Sequence, residues 1–155
     1  MFKRILVPID GSRTSDSGLN TAIRMARDER AELILLHVVD ENVLALSGEY
    51  AGAAYIDRLM ASMREGGKKI IAKAAATAKK QGVAAKTVLV ESIGSRRVAD
   101  IIVRQARKQH ADAVVIGTHG RRGISRLVMG SDAEEVVRGS PVPVVLVRSE
   151  TRGRK

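Results

Sequence analysis

The sequence predicts one α/β domain in which a five-stranded parallel sheet carries helices on both faces, a Rossmann-like fold. The first observation is length, because 155 residues are too few to split into separate cores, as chains of more than about 250 residues do. The second is composition, since 45% hydrophobic residues suffice for a packed interior. The third is the alternation of short aliphatic runs with amphipathic stretches, which is typical of right-handed crossovers in a parallel sheet.

Five aliphatic runs have the composition of strands buried on both faces. They cover residues 5–9, 33–39, 87–90, 113–116 and 142–147, and the last strand is expected to start around Pro143. Between them, apolar residues recur at helical spacing within residues 19–26, 56–78, 98–106 and 133–137. In an alternating fold of this kind, ligands bind beyond the carboxyl ends of the strands, near a switch in strand order. The positions to inspect therefore follow residues 9, 39, 91 and 116.

The basic excess is concentrated in the second half of the chain. The formal net charge is +10, and residues 79–155 hold 16 basic against 7 acidic side chains. This asymmetry indicates attraction to an anion such as nucleic acid, acidic lipid or a phosphorylated small molecule. The aromatic residues are only Phe2, Tyr50 and Tyr55, so single-strand binding by base stacking is disfavoured.

Several functional classes are excluded by what the sequence lacks. Cysteine is absent, which removes disulfides, thiolate catalysis and sulfur-based zinc sites. There is no signal peptide and no run of about 18 apolar residues, so we expect a cytoplasmic protein. The P-loop, dinucleotide and nucleophile-elbow motifs are missing. His37 is expected to be a satisfied core or loop histidine, and with His110 and His119 it forms no metal set, so no catalytic or metal-binding residue is assigned.

The segment after the first strand, Asp10-Gly11-Ser12, allows two interpretations. Asp10 can accept hydrogen bonds from a ribose or a base, and Gly11 lets a ligand approach the backbone. The same residue types favour turns, and Ser12 or Thr14 could cap the first helix. Taken alone, the turn is the better explanation.

The segment after the fourth strand has glycines at both ends. Gly117 and Gly120 lie at the strand exit, where a ligand could approach the backbone, and Gly130 and Ser131 precede a helix predicted to begin near residue 132. A helix N-terminus presents free N–H groups and a partial positive charge, so this loop could cradle phosphate. Three arginines inside it add positive charge, at positions 121, 122 and 126.

The start of that last helix also has an explanation without a ligand. Ser131-x-x-Glu134 is a capping box, which would satisfy the same N–H groups. Asp132, Glu134 and Glu135 place negative charge in or next to the first turn, where it competes with phosphate. Spacing alone leaves nucleotide binding and a plain capped loop both open.

Together, four segments resemble the universal stress protein family over about residues 2–148. They are Ile5-Leu-Val-Pro-Ile-Asp-Gly-Ser12, Leu36-His-Val38, Gly117-x2-Gly120-x9-Gly130-Ser131 and Pro141-Val-Pro-Val-Val-Leu-Val-Arg148. The glycine pattern resembles the branch of the family that binds ATP. The resemblance implies a nucleotide-binding regulator of stress responses, homodimeric through its last strand at residues 142–148, that acts on a partner protein. It also implies a domain over residues 1–149, followed by a basic tail at 150–155.

The resemblance assigns site residues by position. Pro8 and Asp10 would face adenosine, Val38 would contact adenine, and Ile116 with Gly117 would close the base pocket. The phosphates would be held by Gly120, Gly130 and Ser131, aided by backbone N–H groups of the next turn, at Asp132 and Ala133.

Three residues depart from the family pattern. Asp132 brings a carboxylate close to the phosphates and Ala133 lacks a hydroxyl, so AMP becomes an alternative to ATP, with Mg²⁺ an open question. Gly18 replaces a commoner alanine in the first helix, which costs up to about 1 kcal/mol, and is expected not to touch the site. Two functions remain as alternatives: a slow ATP hydrolase, and a non-specific polyanion binder that needs no nucleotide.

Overall fold

The computed structural model of the chain describes residues 1–40, 52–92, 97–118 and 130–148. Strands and helices alternate along these ranges, as the sequence predicts. The strands are β1 (Arg4–Pro8), β2 (Glu32–Asp40), β3 (Ala85–Ser92), β4 (Ala113–Gly117) and β5 (Val144–Val147). The helices are α1 (Arg13–Glu29), α2 (Ala53–Lys80), α3 (Val98–Lys108) and α4 (Ser131–Gly139).

The strands form one parallel sheet in the order β3-β2-β1-β4-β5, which confirms the predicted fold class. The chain builds outward from β1 to β2 and β3, then returns to place β4 on the other side of β1. The order therefore switches between β1 and β4. In sheets of this kind a crevice opens at the carboxyl ends of the two strands that flank the switch.

Two helical layers cover the sheet and explain its continuous aliphatic strands. One face packs against α1 and α2 through residues such as Ile5 and Val7, and the other packs against α3 and α4 through Leu6 and Ile34. Because both faces are covered, successive residues of a central strand are all buried, and no alternation of apolar and polar residues remains.

The strand ends differ in how well they are predicted. β5 begins at residue 144, next to the predicted start around Pro143, and the residues before it form a turn in which Ser140 Oγ bonds both the N–H and the carbonyl of Val142. β3 is longer than predicted because it pairs with β2 along its whole length, from Ala85 to Ser92. Pairing partners remote in sequence thus set the strand ends.

No helix in the described ranges is both long and apolar enough to cross a membrane.

Candidate functional site

The amino end of α4 is attached directly to the end of β4. The Gly130 N–H donates to the Thr118 carbonyl at 2.8 Å, and the Thr118 N–H donates to the Val147 carbonyl of β5 at 2.8 Å. Residues 119–129, which include the predicted phosphate ligand Gly120 and the three loop arginines, lie outside the described ranges. The two ends of that segment nevertheless meet at the carboxyl end of β4, one of the two strands that flank the switch.

The first turn of α4 lacks the predicted capping box. Gly130 is the N-cap, with extended φ and ψ of −63° and 147°, and Ser131 is already helical. The Glu134 N–H bonds the Gly130 carbonyl at 3.0 Å, as in an ordinary helix. Since glycine has no side chain, the N-cap residue supplies no acceptor to the first N–H groups, which favours the anion-binding interpretation.

The glutamates at this helix end are paired with arginines. Glu134 accepts from Arg138 one turn later at 2.6 Å, and Glu135 pairs with Arg97, which precedes α3. The pairing reduces the negative charge that the sequence places beside the candidate phosphate site. Sequence reasoning missed Arg97, because no local motif connects it with α4.

The turn after β1 is built as the turn interpretation predicts. Asp10 Oδ1 accepts from the Ser12 N–H at 2.9 Å, and Ser12 Oγ caps α1 by accepting from the Ser15 N–H at 3.1 Å. Gly11 has a φ of 80°, a left-handed conformation that glycine adopts without strain. These bonds also hold the half-buried Asp10 in place at the carboxyl end of β1.

His37 fixes the same turn from the neighbouring strand. Its ring is buried, and Nδ1 lies 2.6 Å from the carbonyl oxygen of Ile9, to which it donates. The Ile9 N–H in turn donates to the Leu36 carbonyl at 2.7 Å. The opposite side of the ring lies against Gly67 of α2, so His37 is the satisfied core histidine that the sequence predicts.

Gly117 has a packing role that the sequence did not reveal. A Cβ at this position would lie 2.7 Å from Thr14 Cγ2 and 2.9 Å from the Thr14 carbonyl oxygen. The missing side chain therefore makes room for the first turn of α1, so packing, and not only ligand approach, requires glycine here. Gly18 of α1 also faces this strand end, since its Cβ would lie 3.5 Å from the Gly117 nitrogen, which corrects the expectation that Gly18 is remote from the site.

The predicted base-binding residues lie in one cluster on the face covered by α3 and α4. Val38 and Ile116 pack into the same apolar group, together with the buried Ala133 of α4. Ser131 and Asp132 are exposed at the start of α4, and Pro8 pairs with Leu36 in the sheet. Of the ten predicted site residues, only Gly120 lies outside the described ranges.

The exit of β3, another of the inspected positions, is occupied by an ion pair. Arg64 of α2 holds Glu91 with two hydrogen bonds, at 2.5 and 2.9 Å. The bonds from Arg64 lower the pKa of the Glu91 carboxyl below its usual value. Among the described residues, no group of three or more His, Asp or Glu side chains is arranged to hold a metal ion.

Comparison with known proteins identifies the family. A model of the Universal stress protein family matches residues 1–148. The chain belongs to this family. Universal stress protein YxiE of Bacillus subtilis is 32% identical over 152 residues, which cover 96% of this chain and all of that protein. The universal stress protein MJ0577 of Methanocaldococcus jannaschii has a solved structure with a TM-score of 0.82 and 26% identity, covering 97% of this chain and 99% of the other.

Other solved universal stress proteins share the fold. One from Burkholderia pseudomallei is 31% identical, with a TM-score of 0.72 and coverage of 93% and 94%. Two less similar structures contain nucleotides. The Archaeoglobus fulgidus protein in complex with dAMP is 22% identical, with a TM-score of 0.63 and coverage of 94% and 97%. An Arabidopsis thaliana family member with AMP bound is 15% identical, with a TM-score of 0.70 and coverage of 96% and 93%.

Proposed function

We propose that this universal stress protein is a regulator that binds an adenine nucleotide in the crevice between β1 and β4. The observation that carries the proposal is the attachment of α4 to β4 through the Gly130–Thr118 hydrogen bond. The bond brings the start of a nine-residue helix to the carboxyl end of β4, with no side chain on the N-cap. The positive end of the helix dipole favours a phosphate there.

The remaining parts of a nucleotide have matching surroundings. Val38 and Ile116 offer an apolar wall to a base, and Asp10 is fixed where a ribose hydroxyl could donate to it. The dAMP and AMP complexes of fold neighbours support the choice of an adenine nucleotide, because they contain such ligands on the same fold. Nucleotide occupancy would change the surface around α4, which a partner protein could sense.

The number of phosphates depends on Asp132. Asp132 lies exposed in the first turn of α4. A carboxylate near the phosphates weakens binding in proportion to the charge of the ligand. We therefore expect it to lower the affinity for AMP less than the affinity for ATP. Mg²⁺ would offset part of this repulsion by neutralising phosphate charge.

Replacing Asp132 by serine is expected to strengthen ATP binding by about fivefold, because removing one charge a few ångströms from phosphate is worth about 1 kcal/mol in water. AMP binding should change by less than about twofold. Titration calorimetry with ATP, with and without Mg²⁺, and with AMP measures both effects. A gain in affinity cannot arise from partial unfolding.

Asp28→Ser serves as the charge-matched control for Asp132→Ser. Asp28 lies exposed in the last turn of α1, at the opposite edge of the sheet. Its replacement should leave both affinities unchanged. If the wild-type chain binds neither nucleotide at millimolar concentration, the proposed function is wrong; if both variants strengthen ATP binding equally, the phosphates do not lie at α4.

We also propose that two copies of the chain pair through β5. This strand is at an edge of the described sheet, carries the uncharged sequence Val-Val-Leu-Val, and leaves Leu146 40% exposed. An apolar edge strand promotes aggregation unless another surface covers it. A second copy presenting the same edge would cover it symmetrically.

Sedimentation equilibrium tests the pairing of β5. The wild-type chain is expected at twice the monomer mass. Leu146→Lys is expected to raise the dissociation constant of the dimer at least tenfold, because it places a charge in the interface. Tyr55→Lys is a suitable control, since Tyr55 is another exposed apolar residue, at 57%, and lies in the first turns of α2. A monomeric wild-type chain, or dissociation by Tyr55→Lys alone, would contradict pairing through β5.

A further inference from the structure

The edge of the sheet opposite the nucleotide crevice collects strongly basic segments. In a parallel α/β fold, helices end where strands begin, so these segments meet although they are far apart in sequence. The start of β1, the α1–β2 turn, the α2–β3 turn and the α3–β4 turn comprise residues 3–4, 27–32, 79–86 and 107–112. We call this set the amino-terminal edge. It contains nine Lys or Arg side chains against four Asp or Glu.

Hydrogen bonds join these segments into one continuous surface. Arg27 of α1 donates to both the carbonyl and the side-chain oxygen of Gln81, at 3.3 Å each. Lys86 at the start of β3 donates to the Gln109 side chain at 2.9 Å, which links the α2–β3 and α3–β4 turns. The Glu32 N–H donates to the Lys3 carbonyl at 2.9 Å, which links the start of β1 to the α1–β2 turn.

Two of the four acids of this edge, Glu29 and Asp112, bond other groups. Glu29 pairs with the N-terminal amine. Asp112 Oδ2 accepts from the backbone N–H groups of Lys3 and Arg4 at 2.9 and 2.8 Å, and these bonds lower the pKa of its carboxyl. Within the described part of the chain, none of the nine basic side chains of the edge forms an ion pair. With nine basic against four acidic side chains, the edge keeps a net positive charge.

Helix dipoles explain only part of this charge. Basic residues in the last turns of α1, α2 and α3 offset the negative helix ends. Lys3, Arg4 and Lys86 begin strands and have no helix end to offset. The edge also draws from both halves of the chain, whereas the sequence had assigned the basic excess to the second half alone.

We propose that the amino-terminal edge binds the phosphate backbone of double-stranded nucleic acid without sequence preference. The edge offers no described aromatic side chain on which an unpaired base could stack, since Phe2 packs into the core. Met1 is the one large apolar residue exposed there among the described residues, which is too little to insert into a membrane surface. This inference is independent of the nucleotide site, which lies at the opposite edge.

The dimensions of the edge set the expected salt dependence. Four adjacent strands, β3-β2-β1-β4, span about 14 Å. A DNA duplex carries about eight phosphate charges over that length, of which roughly half face one side. A plot of the logarithm of the association constant against the logarithm of the salt concentration has a slope of about −0.9 for each phosphate neutralised. Neutralising about four phosphates therefore gives a slope of about −3.6. Affinity should therefore fall about 150-fold between 50 and 200 mM salt.

The test measures binding of a 20-base-pair duplex of mixed sequence to the full chain by fluorescence anisotropy. The triple variant Lys79→Gln, Lys80→Gln and Lys86→Gln removes three charges of the amino-terminal edge. We expect it to weaken binding at least 20-fold at 50 mM salt and to reduce the slope by two to three, since each lost phosphate contact contributes about 0.9.

A second triple variant separates this surface from net charge. Arg58→Gln, Lys68→Gln and Lys69→Gln also remove three charges, and all three side chains are exposed on α2. Lys69 lies ten residues before Lys79, or about 15 Å along the helix. This control should bind the duplex within twofold of wild type. Equal loss in both variants, no wild-type binding at 50 mM salt, preference for a single strand, or binding only to phosphatidylserine vesicles would each overturn the proposal.

Discussion

Replacing Gly117 by alanine is expected to lower the free energy of unfolding by about 3 kcal/mol. The new Cβ would lie 2.7 Å from Thr14 Cγ2 and 2.9 Å from the Thr14 carbonyl oxygen. The carbonyl belongs to the backbone of α1, so a change of side-chain rotamer cannot relieve the contact, and the first turn of the helix must move. Thermal unfolding should show a midpoint lower by roughly 6–12 °C for a domain of this size.

Gly18→Ala is the matched control for Gly117→Ala. Gly18 lies in α1 on the other side of the same contact, where a Cβ would be 3.5 Å from the Gly117 nitrogen, an ordinary van der Waals distance. Alanine removes the cost of glycine in a helix, so we expect a gain of about 0.5–1 kcal/mol. If Gly117→Ala unfolds with the same midpoint temperature as the wild-type chain, α1 is not packed closely against β4.

Replacing Gly67 by alanine is expected to destabilise the fold by about 3 kcal/mol, from overpacking and the loss of one buried hydrogen bond. The added Cβ would lie 2.7 Å from His37 Cδ2 and 3.1 Å from Leu89 Cδ1. The imidazole cannot withdraw without losing its bond to the Ile9 carbonyl. Chemical denaturation measures the stability, and the Nδ1–H proton of His37 in an NMR spectrum reports the bond directly.

The adjacent glycine provides the control for Gly67→Ala. A Cβ on Gly66 meets no atom within 4 Å, so Gly66→Ala keeps the packing and should stabilise α2 by about 0.5–1 kcal/mol. The two variants have the same composition and differ only in which face of α2 carries the methyl group. Equal stability of the two would show that His37 is not held between Gly67 and Ile9. Because Ile9 precedes Asp10, Gly67→Ala should also weaken nucleotide binding, whereas Gly66→Ala should not.

The sequence predicted the elements of the fold more accurately than their ends. Aliphatic runs and helical spacing are properties of consecutive residues, so they identified the five strands and four helices of the described ranges. The ends of β3 were placed incorrectly, at residues 87 and 90, because its length is set by pairing with β2, which is remote in sequence. Local turn chemistry was correct at Asp10, where the partner, Ser12, is two residues away.

The candidate site was predicted as a set of residues but not as an arrangement. The glycine pattern drew attention to Gly117 and Gly130, and the structure attaches Gly130 to the end of β4 while placing Thr14 against Gly117. The pairing of Glu135 with Arg97 could not be anticipated, since an ion pair between two helices leaves no spacing signal. The sequence therefore overstated the negative charge at α4.

The sequence by itself determined the fold class and the family, because periodicity, turn residues and motif spacing are encoded locally. Only the tertiary structure decided why Gly67 and Gly117 must be glycine and where the basic residues gather. Those properties depend on which helix approaches which strand, and on the antiparallel course of helices and strands, which brings the carboxyl ends of the helices to the edge where the strands begin. The net charge of +10 follows from the composition alone, whereas a binding surface depends on where the basic residues lie in the folded chain.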